Sequence, residues 1–477
     1  MDRLSRVLRS FPKRPIKVVQ FGEGNFLRAF VDPFIQTLNE QSLFDGNVAV
    51  IQPMPQGRVR DLEAQDGLYT LILEGIDQGK TVTETKIVDV LQEFIDPYTQ
   101  YRQYLDLAAS QTITTIVSNT TEAGIVYQPE TIHFNQCPVS FPGKLLAFLK
   151  MRFEVFAGAN EAGLDILACE LIDDNGDTLK RVLVELARYN NMSETFIHWM
   201  TTMNRFYNTL VDRIVPGYPK NDAGHLEQTW GYLDHSIVKG EIFHLWVIEG
   251  EKGLNTRLPF DKAGLNVYFV DKLKPYKERK VKILNGSHTA MVPVAYLCGI
   301  DTVKDAMNDT QIHEFVQRLI WQEVIPTIDL PEADMDKFAK AVLERYQNPF
   351  VRHELMSIAL NSMTKYKTRI LPSVLNQLET GKFPKLQLFS LAANIVFYRG
   401  KRDNEAIRLQ DDKQFLELYQ NLWSSGNVES VVDTILGLPH WETTRLTQAD
   451  VITYVKQNVE SILAVGMRQA LQNALGA

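Results

Sequence analysis

The chain has 477 residues, more than one compact core usually holds, so two domains are expected. Hydrophobic residues at 45%, charged residues at 23% and aromatics at 10% match an ordinary folded protein and leave no room for bulk disorder or a fibrous repeat. The formal net charge of −8 excludes a general nucleic-acid binder, because neutralising phosphates takes a basic surface, so an anionic substrate would need a local basic pocket.

Residues 1–10 mix charged and apolar side chains too closely for the core of a signal peptide and read as a short helix. Up to about residue 270, short β-rich runs alternate with helical stretches: 16–21, 47–51, 69–73, 113–117, 165–169 and 243–248. Strands spaced by helices imply a parallel α/β sheet, so an N-terminal Rossmann-like domain is expected over 1–270. Beyond Lys274-Pro275 the pattern changes to long apolar-periodic segments, 312–321, 335–346, 388–398 and 451–471, which predict a mainly α-helical domain over 271–477. Breaks fall near 329–332 and at Asn348-Pro349, where the residue before proline is pushed out of helical geometry.

Cys137, Cys169 and Cys298 are odd in number and widely spaced, which gives no disulfide framework and suits a reducing, cytoplasmic setting. The longest nearly uncharged stretches, 288–300 and 386–397, are too short to span a bilayer, so no membrane association is expected.

The first strand ends in Phe21-Gly22-Glu23-Gly24-Asn25-Phe26-Leu27, followed by a helical pattern that Pro33 limits or kinks. In a dinucleotide site Gly22 would allow the tight turn, Gly24 would let the backbone approach a pyrophosphate, and the amides of Asn25 and Phe26 would receive its charge. The third glycine of the full fingerprint is replaced by Leu27, so the same motif also fits a plain structural turn. Ser118-Asn119-Thr120-Thr121-Glu122 places small polar residues after another apolar strand, where open sheets bind ligands, although it also fits an ordinary helix cap. Strand two ends Ile51-Gln52-Pro53, without the carboxylate that usually takes the ribose hydroxyls of NAD. Arg58 and Arg60 follow and could contact a 2′-phosphate, so the residues alone leave NAD and NADP open.

The segment Lys274 to His288 holds Lys280, Asn285 and His288. At about 100° per residue of an α-helix, Asn285 projects roughly 140° from Lys280, with His288 between them, so all three can border one cavity. Reducing a ketone needs a proton donor to the oxygen and fixed hydrogen bonds to the developing alkoxide, roles that a lysine and an asparagine fill. Lys280 would have to release its proton in the oxidative direction, with Lys277, Arg279 and Lys282 as neighbouring cations. A solvated basic helix face with a satisfied asparagine and histidine is the competing reading. The nine histidines form no His-x-x-His or His-Glu-x-x-His pair and the cysteines are scattered, so no metal site is expected.

These residues give the chain a family likeness. Lys280-x4-Asn285-x2-His288 resembles the Lys-x4-Asn-x2-His signature of the polyol-specific long-chain dehydrogenases, the mannitol dehydrogenase family. The similarity continues through 20–29, 65–70, 118–124, 211–215 and Asn348-Pro349, nearly the whole chain. Within that family, 169–172, 275–280 and 398–400 look most like the branch that reduces the hexuronate tagaturonate to altronate. The resemblance implies NAD as cofactor, Lys280 as general acid and base, Asn285 as an oxyanion donor, His288 as a substrate hydrogen-bonding group, and Val211 and Asp212 near the nicotinamide. Two departures stand out: Cys169-Glu170-Leu171 replaces Cys-Asp-Asn, leaving Asn175 as the asparagine for the substrate, and Ser357 replaces an arginine eight residues before the substrate lysine, Lys365. A sugar acid carries a carboxylate, for which Lys365, Lys367 and Arg369 are the available cations.

The expected activity is therefore reversible, NAD-dependent reduction of D-tagaturonate. The alternatives are fructuronate reduction or mannitol-type oxidation and, more remotely, a non-catalytic dinucleotide sensor. An all-helical second domain suits a monomer or a small homo-oligomer equally.

Overall fold

The computed structural model describes residues 1–7, 11–121, 123–250, 253–403 and 405–476. It divides into two compact units: Met1–Gly75 with Thr81–Leu273, and Ile76–Lys80 with Lys274–Ala477.

The first unit is built on strands β1 (Ile16–Phe21), β2 (Asn47–Ile51), β3 (Tyr69–Asp77), β4 (Lys80–Val88), β5 (Leu91–Ile95), β6 (Thr115–Ser118), β7 (Asp165–Ala168), β8 (Arg205–Asp212), β9 (Val238–Glu241), β10 (Leu245–Glu249) and β11 (Val267–Val270). Eight of them form one sheet in the order β11-β10-β8-β7-β6-β1-β2-β5. Pairing is parallel except between β8 and β10. The chain steps from β1 to β2 on one side and later to β6 on the other, so β1 is a topological switch point, the place where open α/β sheets bind ligands.

The central strands read as continuous apolar runs because both faces are covered. Val19, Phe21, Ala49, Ile51, Ile116 and Ile166 belong to one core, shared with the helices Phe141–Val155 and Asn175–Tyr189. Val18, Val48, Val50, Val117 and Leu167 belong to the other, shared with Phe34, Ile35 and Leu38. The two-residue period of a strand sorts the side chains between them.

After β1 the chain forms α1 (Asn25–Arg28), turns through Ala29 and Phe30, and restarts as α2 (Val31–Glu40). Pro33 accounts for the interruption: it has no N–H for the Ala29 carbonyl four residues back. Arg213 Nη1 donates to that carbonyl instead, at 2.5 Å.

The second unit is mainly helical. Its central helix, Lys385–Phe397, is buried from Leu386 to Phe397, an apolar all-round pattern that only the inside of a helical domain accommodates. Ser287–Leu297 and Ala449–Val465 pack against it.

Several expectations need correction. Residues 1–7 form no helix; Arg3 instead bridges Leu233 in parallel, and 8–10 lie outside the described residues. The 69–73 run belongs to a separate three-stranded sheet, β4-β3-β9, and not to the large one. The 451–471 segment is two helices, because Gly466 at φ +81° ends the first before Met467–Gly476 begins. A short hairpin, Lys401–Arg402 with Glu405–Ala406, interrupts the helical unit. Among the described residues no helix is long and apolar enough to cross a membrane, and no group of His, Cys, Asp and Glu is arranged to hold a metal ion. The three cysteines are free.

Candidate active site

The turn after β1 has the shape that its glycines allow. Gly22 sits at φ +126°, where a side chain is strained, and a Cβ there would come within 3.1 Å of the Asn119 carbonyl oxygen. A Cβ at Gly24 would meet nothing within 4 Å, so the backbone at Gly24 is open to a bound group. Leu27, in place of the third glycine, is buried and packs under the turn, 3.3 Å from the Gly22 Cβ position. Only four residues of α1 follow, so an anion here would be held by individual amides more than by a long helix dipole. Asn25 Oδ1 accepts from Arg28 Nη2 at 2.8 Å, and Phe26 stacks on Phe30 at 4.9 Å.

Asn119 follows β6, the strand beside β1, and its amide nitrogen donates to the Phe21 carbonyl. Its side chain donates to the Cys169 carbonyl at 2.6 Å. Glu170 organises this edge: one carboxylate oxygen accepts from Ser118 Oγ at 3.1 Å, the other from the Thr120 amide and Thr120 Oγ1, both at 3.0 Å. Burial pushes the Glu170 carboxyl above the usual range. Sequence reasoning treated Glu170 as a missing aspartate; its position directly after the central strand was the available signal. Glu122, at the end of the same polar run, lies outside the described residues. Val211 and Asp212 end β8, so Gly22, Gly24, Asn25, Phe26, Asn119, Val211 and Asp212 all belong to the carboxyl edge of the parallel strands. Gly22's conformation, the opening at Gly24 and the switch point fit a dinucleotide.

Asn175 does not serve as expected. Its Nδ2 donates to the Glu170 and Thr209 carbonyls, both at 3.0 Å, while its Oδ1 accepts from the Gly176 and Thr209 amides at 2.9 and 2.8 Å. All four hydrogen-bonding capacities are spent inside the protein, which makes Asn175 a clamp on β8 and leaves nothing for substrate.

In the second unit, Lys280 to Gly286 wind as a π-helix between the α-helices Lys274–Arg279 and Ser287–Leu297. The 100° step therefore does not apply. With i→i+5 bonding, five residues complete about one turn, which brings Lys280 and Asn285 to the same side. Hydroxyl groups reinforce the wide turn: Ser287 Oγ donates to the Ile283 carbonyl, Tyr346 Oη to that of Leu284 at 2.6 Å, and Thr289 Oγ1 to that of Asn285 at 2.8 Å. Lys280, Asn285 and His288 are each half-buried.

The neighbouring cations diverge. Arg279 is buried with its guanidinium over the Phe338 ring at 4.4 Å, and Lys282 donates to the Thr327 carbonyl at 3.0 Å.

His288 stacks on Tyr346 with ring centroids 3.9 Å apart and meets His353 edge-on at 5.3 Å. Burial first, then neighbouring His353 and the guanidinium groups of Arg345 and Arg369, hold its imidazole well below the ordinary range, so it is neutral. Its Nε2 is buried and makes no hydrogen bond to any described residue. Sequence reasoning missed Tyr346, His353 and Arg345, which come from a distant stretch of chain.

The helix Ser362–Arg369 packs on the wide turn, with the Arg369 carbonyl 3.1 Å from the Cβ position of Gly286. Arg369 Nη1 donates to Thr289 Oγ1 at 3.2 Å, beside His288. Lys365, one helical turn earlier, donates to the Ile358 carbonyl at 2.8 Å; burial and the charge of Arg369 both lower its pKa. Lys367 pairs with the exposed Glu442 at 2.7 Å and is drawn away from this group.

Family models match both units: the mannitol dehydrogenase Rossmann domain over 16–262 and the mannitol dehydrogenase C-terminal domain over 272–463. The chain belongs to the mannitol dehydrogenase family. Among curated members of the family it is 44% identical to an altronate oxidoreductase of Yersinia enterocolitica and to one of Escherichia coli O7:K1, covering 99% of this chain and 99% of each relative. The family fold is also seen in a substrate-free D-sorbitol dehydrogenase, 21% identical with a TM-score of 0.82, covering 99% of this chain and 100% of the other. The Pseudomonas fluorescens mannitol 2-dehydrogenase, solved as a ternary complex with NAD and D-mannitol, shares it at 21% identity and a TM-score of 0.65, over 97% and 95% of the two chains.

Proposed function

We propose that this protein is an altronate oxidoreductase, reducing D-tagaturonate to D-altronate with NADH, reversibly. The observation that carries the reading is the 44% identity to altronate oxidoreductases along essentially the full length of both chains. Lys280, Asn285 and His288 on one helix supply matching chemistry.

Held at the turn of Gly22 and Gly24, a bound dinucleotide would supply the hydride. The Lys280 ammonium gives a proton to the ketone oxygen as the carbonyl carbon is reduced, and takes it back from the alcohol in the oxidative direction. Asn285, brought to the lysine's side by the wide turn, donates to the same oxygen as charge builds on it. Neutral His288 offers a hydrogen bond to a substrate hydroxyl and leaves the cationic work to other residues. Arg369, next to His288, pairs with the sugar-acid carboxylate, and Lys365 reinforces it.

The free cysteines suit a cytoplasmic catabolic enzyme acting on a small sugar acid. It acts as a monomer or small homo-oligomer, without nucleic acid or membrane.

The test is NADH oxidation by the purified protein with D-tagaturonate, run beside D-fructuronate, fructose and an NADPH control. Preference for tagaturonate with NADH is expected. Preference for fructuronate or fructose would overturn the substrate assignment, and silence on every substrate with NADH still bound would favour a sensor.

A further inference from the structure

NAD sites of this fold usually place an aspartate or glutamate at the end of the second strand, where it accepts from the adenosine ribose hydroxyls and repels a 2′-phosphate. Here β2 is followed by Gln52, which is buried and engaged at both ends of its amide: Oε1 accepts from the Val59 amide at 3.3 Å and Nε2 donates to the Pro55 carbonyl at 3.4 Å. It has neither the charge nor the freedom for the task.

We infer that Glu23, from the glycine turn after β1, is the carboxylate that reads the ribose and turns away NADPH. This rests on the dinucleotide reading above. Glu23 Oε1 crosses to the loop after β2 and accepts from the Arg58 amide at 3.0 Å. A Cβ at Gly57 would collide with that carboxylate and with Gln52, so the loop is shaped around the pair. Glu23 lines a groove with Gly24, Asn25, Arg28, Arg58 and Asp61.

The two arginines of this loop are paired, and Lys220 and His235 also line the groove. Arg58 pairs with Asp61 at 2.7 Å and Arg60 with Glu63 at 2.5 Å. Arg28 donates to the Glu23 and Ser236 carbonyls and to Asn25 Oδ1. Glu23 sets a negative charge beside Arg58 and Asp61, which opposes a phosphate dianion and suits a neutral diol.

The experiment measures dissociation constants of NADH and NADPH by nucleotide fluorescence on the full-length protein, for wild type, Glu23→Gln, Glu23→Ala and Arg58→Ala. Wild type is expected to prefer NADH by about 100-fold. Glu23→Gln should erase about tenfold or more of that preference, the worth of a charge-assisted hydrogen bond. Glu23→Ala should do the same, and Arg58→Ala, which removes a cation, should not lower the preference for NADH. A ratio unmoved in both Glu23 variants would sink this inference alone, and wild-type preference for NADPH would overturn it together with the NADH assignment. Failure of wild type to bind either nucleotide would overturn it together with the proposed activity.

Discussion

The imidazole of His288 lies nearly parallel on the phenol ring of Tyr346, 19° between planes and 3.9 Å between centroids. Tyr346 also donates to the Leu284 carbonyl and lies 2.8 Å from Ser287 Oγ, so one side chain supports both the wide turn and the histidine. Tyr346→Phe keeps the ring and loses the hydroxyl. It should cost about 1–2 kcal/mol of stability by denaturant melts. KM for the sugar acid should rise while nucleotide affinity holds; an equal loss in both would show that the hydroxyl has no local role at the substrate side.

Lys280→Ala should lower kcat by about 10²–10⁴, the usual worth of general acid-base catalysis, and leave the NADH dissociation constant close to wild type. Stopped-flow single turnovers together with nucleotide titration separate the two quantities. Normal turnover in this variant would remove lysine from the mechanism.

Arg369 and Lys367 are two residues apart and do different work. Replacing Arg369 with leucine should raise KM for a hexuronate by about 10–100-fold through loss of a charge-assisted contact, with a smaller change for a neutral ketose. Lys367→Met, which only releases Glu442 at the surface, should change neither. Comparing kcat/KM for charged and neutral substrates in both variants decides whether Arg369 reads the carboxylate.

Glu323 accepts from the Leu386 and Gln387 amides at 2.7 and 2.8 Å, capping the central helix, and burial pushes its carboxyl up to about 7 from 4.5. The folded protein thus holds this proton more tightly than the unfolded chain does. Between about 4.5 and 7 the unfolded state sheds it first, so stability falls as pH rises through that window and levels off above it. Asp32, pushed up to about 7 by burial, acts in the same direction. Melting temperatures from pH 5 to 8 should therefore decline in wild type and decline less steeply in Glu323→Gln; identical slopes would remove Glu323 from the pH response.

The large sheet and the helical second unit were legible because burial on both faces writes continuous β-branched runs, and β1 and β2 fall on the runs read from the sequence. Strand β8 was not, since Asn208 and Thr209 interrupt its apolar pattern; their side chains are satisfied by Asp177 and by the Ala168 carbonyl, partners far away in sequence. The lysine, asparagine and histidine could be picked out by spacing, yet their winding could not, because Tyr346, a long-range contact, helps hold it. Asn175 misled for a related reason: residue type announces hydrogen-bonding capacity and says nothing about whether neighbours have already consumed it.

The wide turn at Lys280 also has a meaning in terms of chain length. A π turn is an α-helix carrying one surplus residue, so deleting a single codon between Val281 and Leu284 would return the segment to α-helical winding without displacing the flanking helices. The spacing from lysine to asparagine would then be four, which an α-helix again places on one side. A five-residue spacing and a wide turn are thus one unit, and a chain one residue shorter here could keep the same pair of groups side by side.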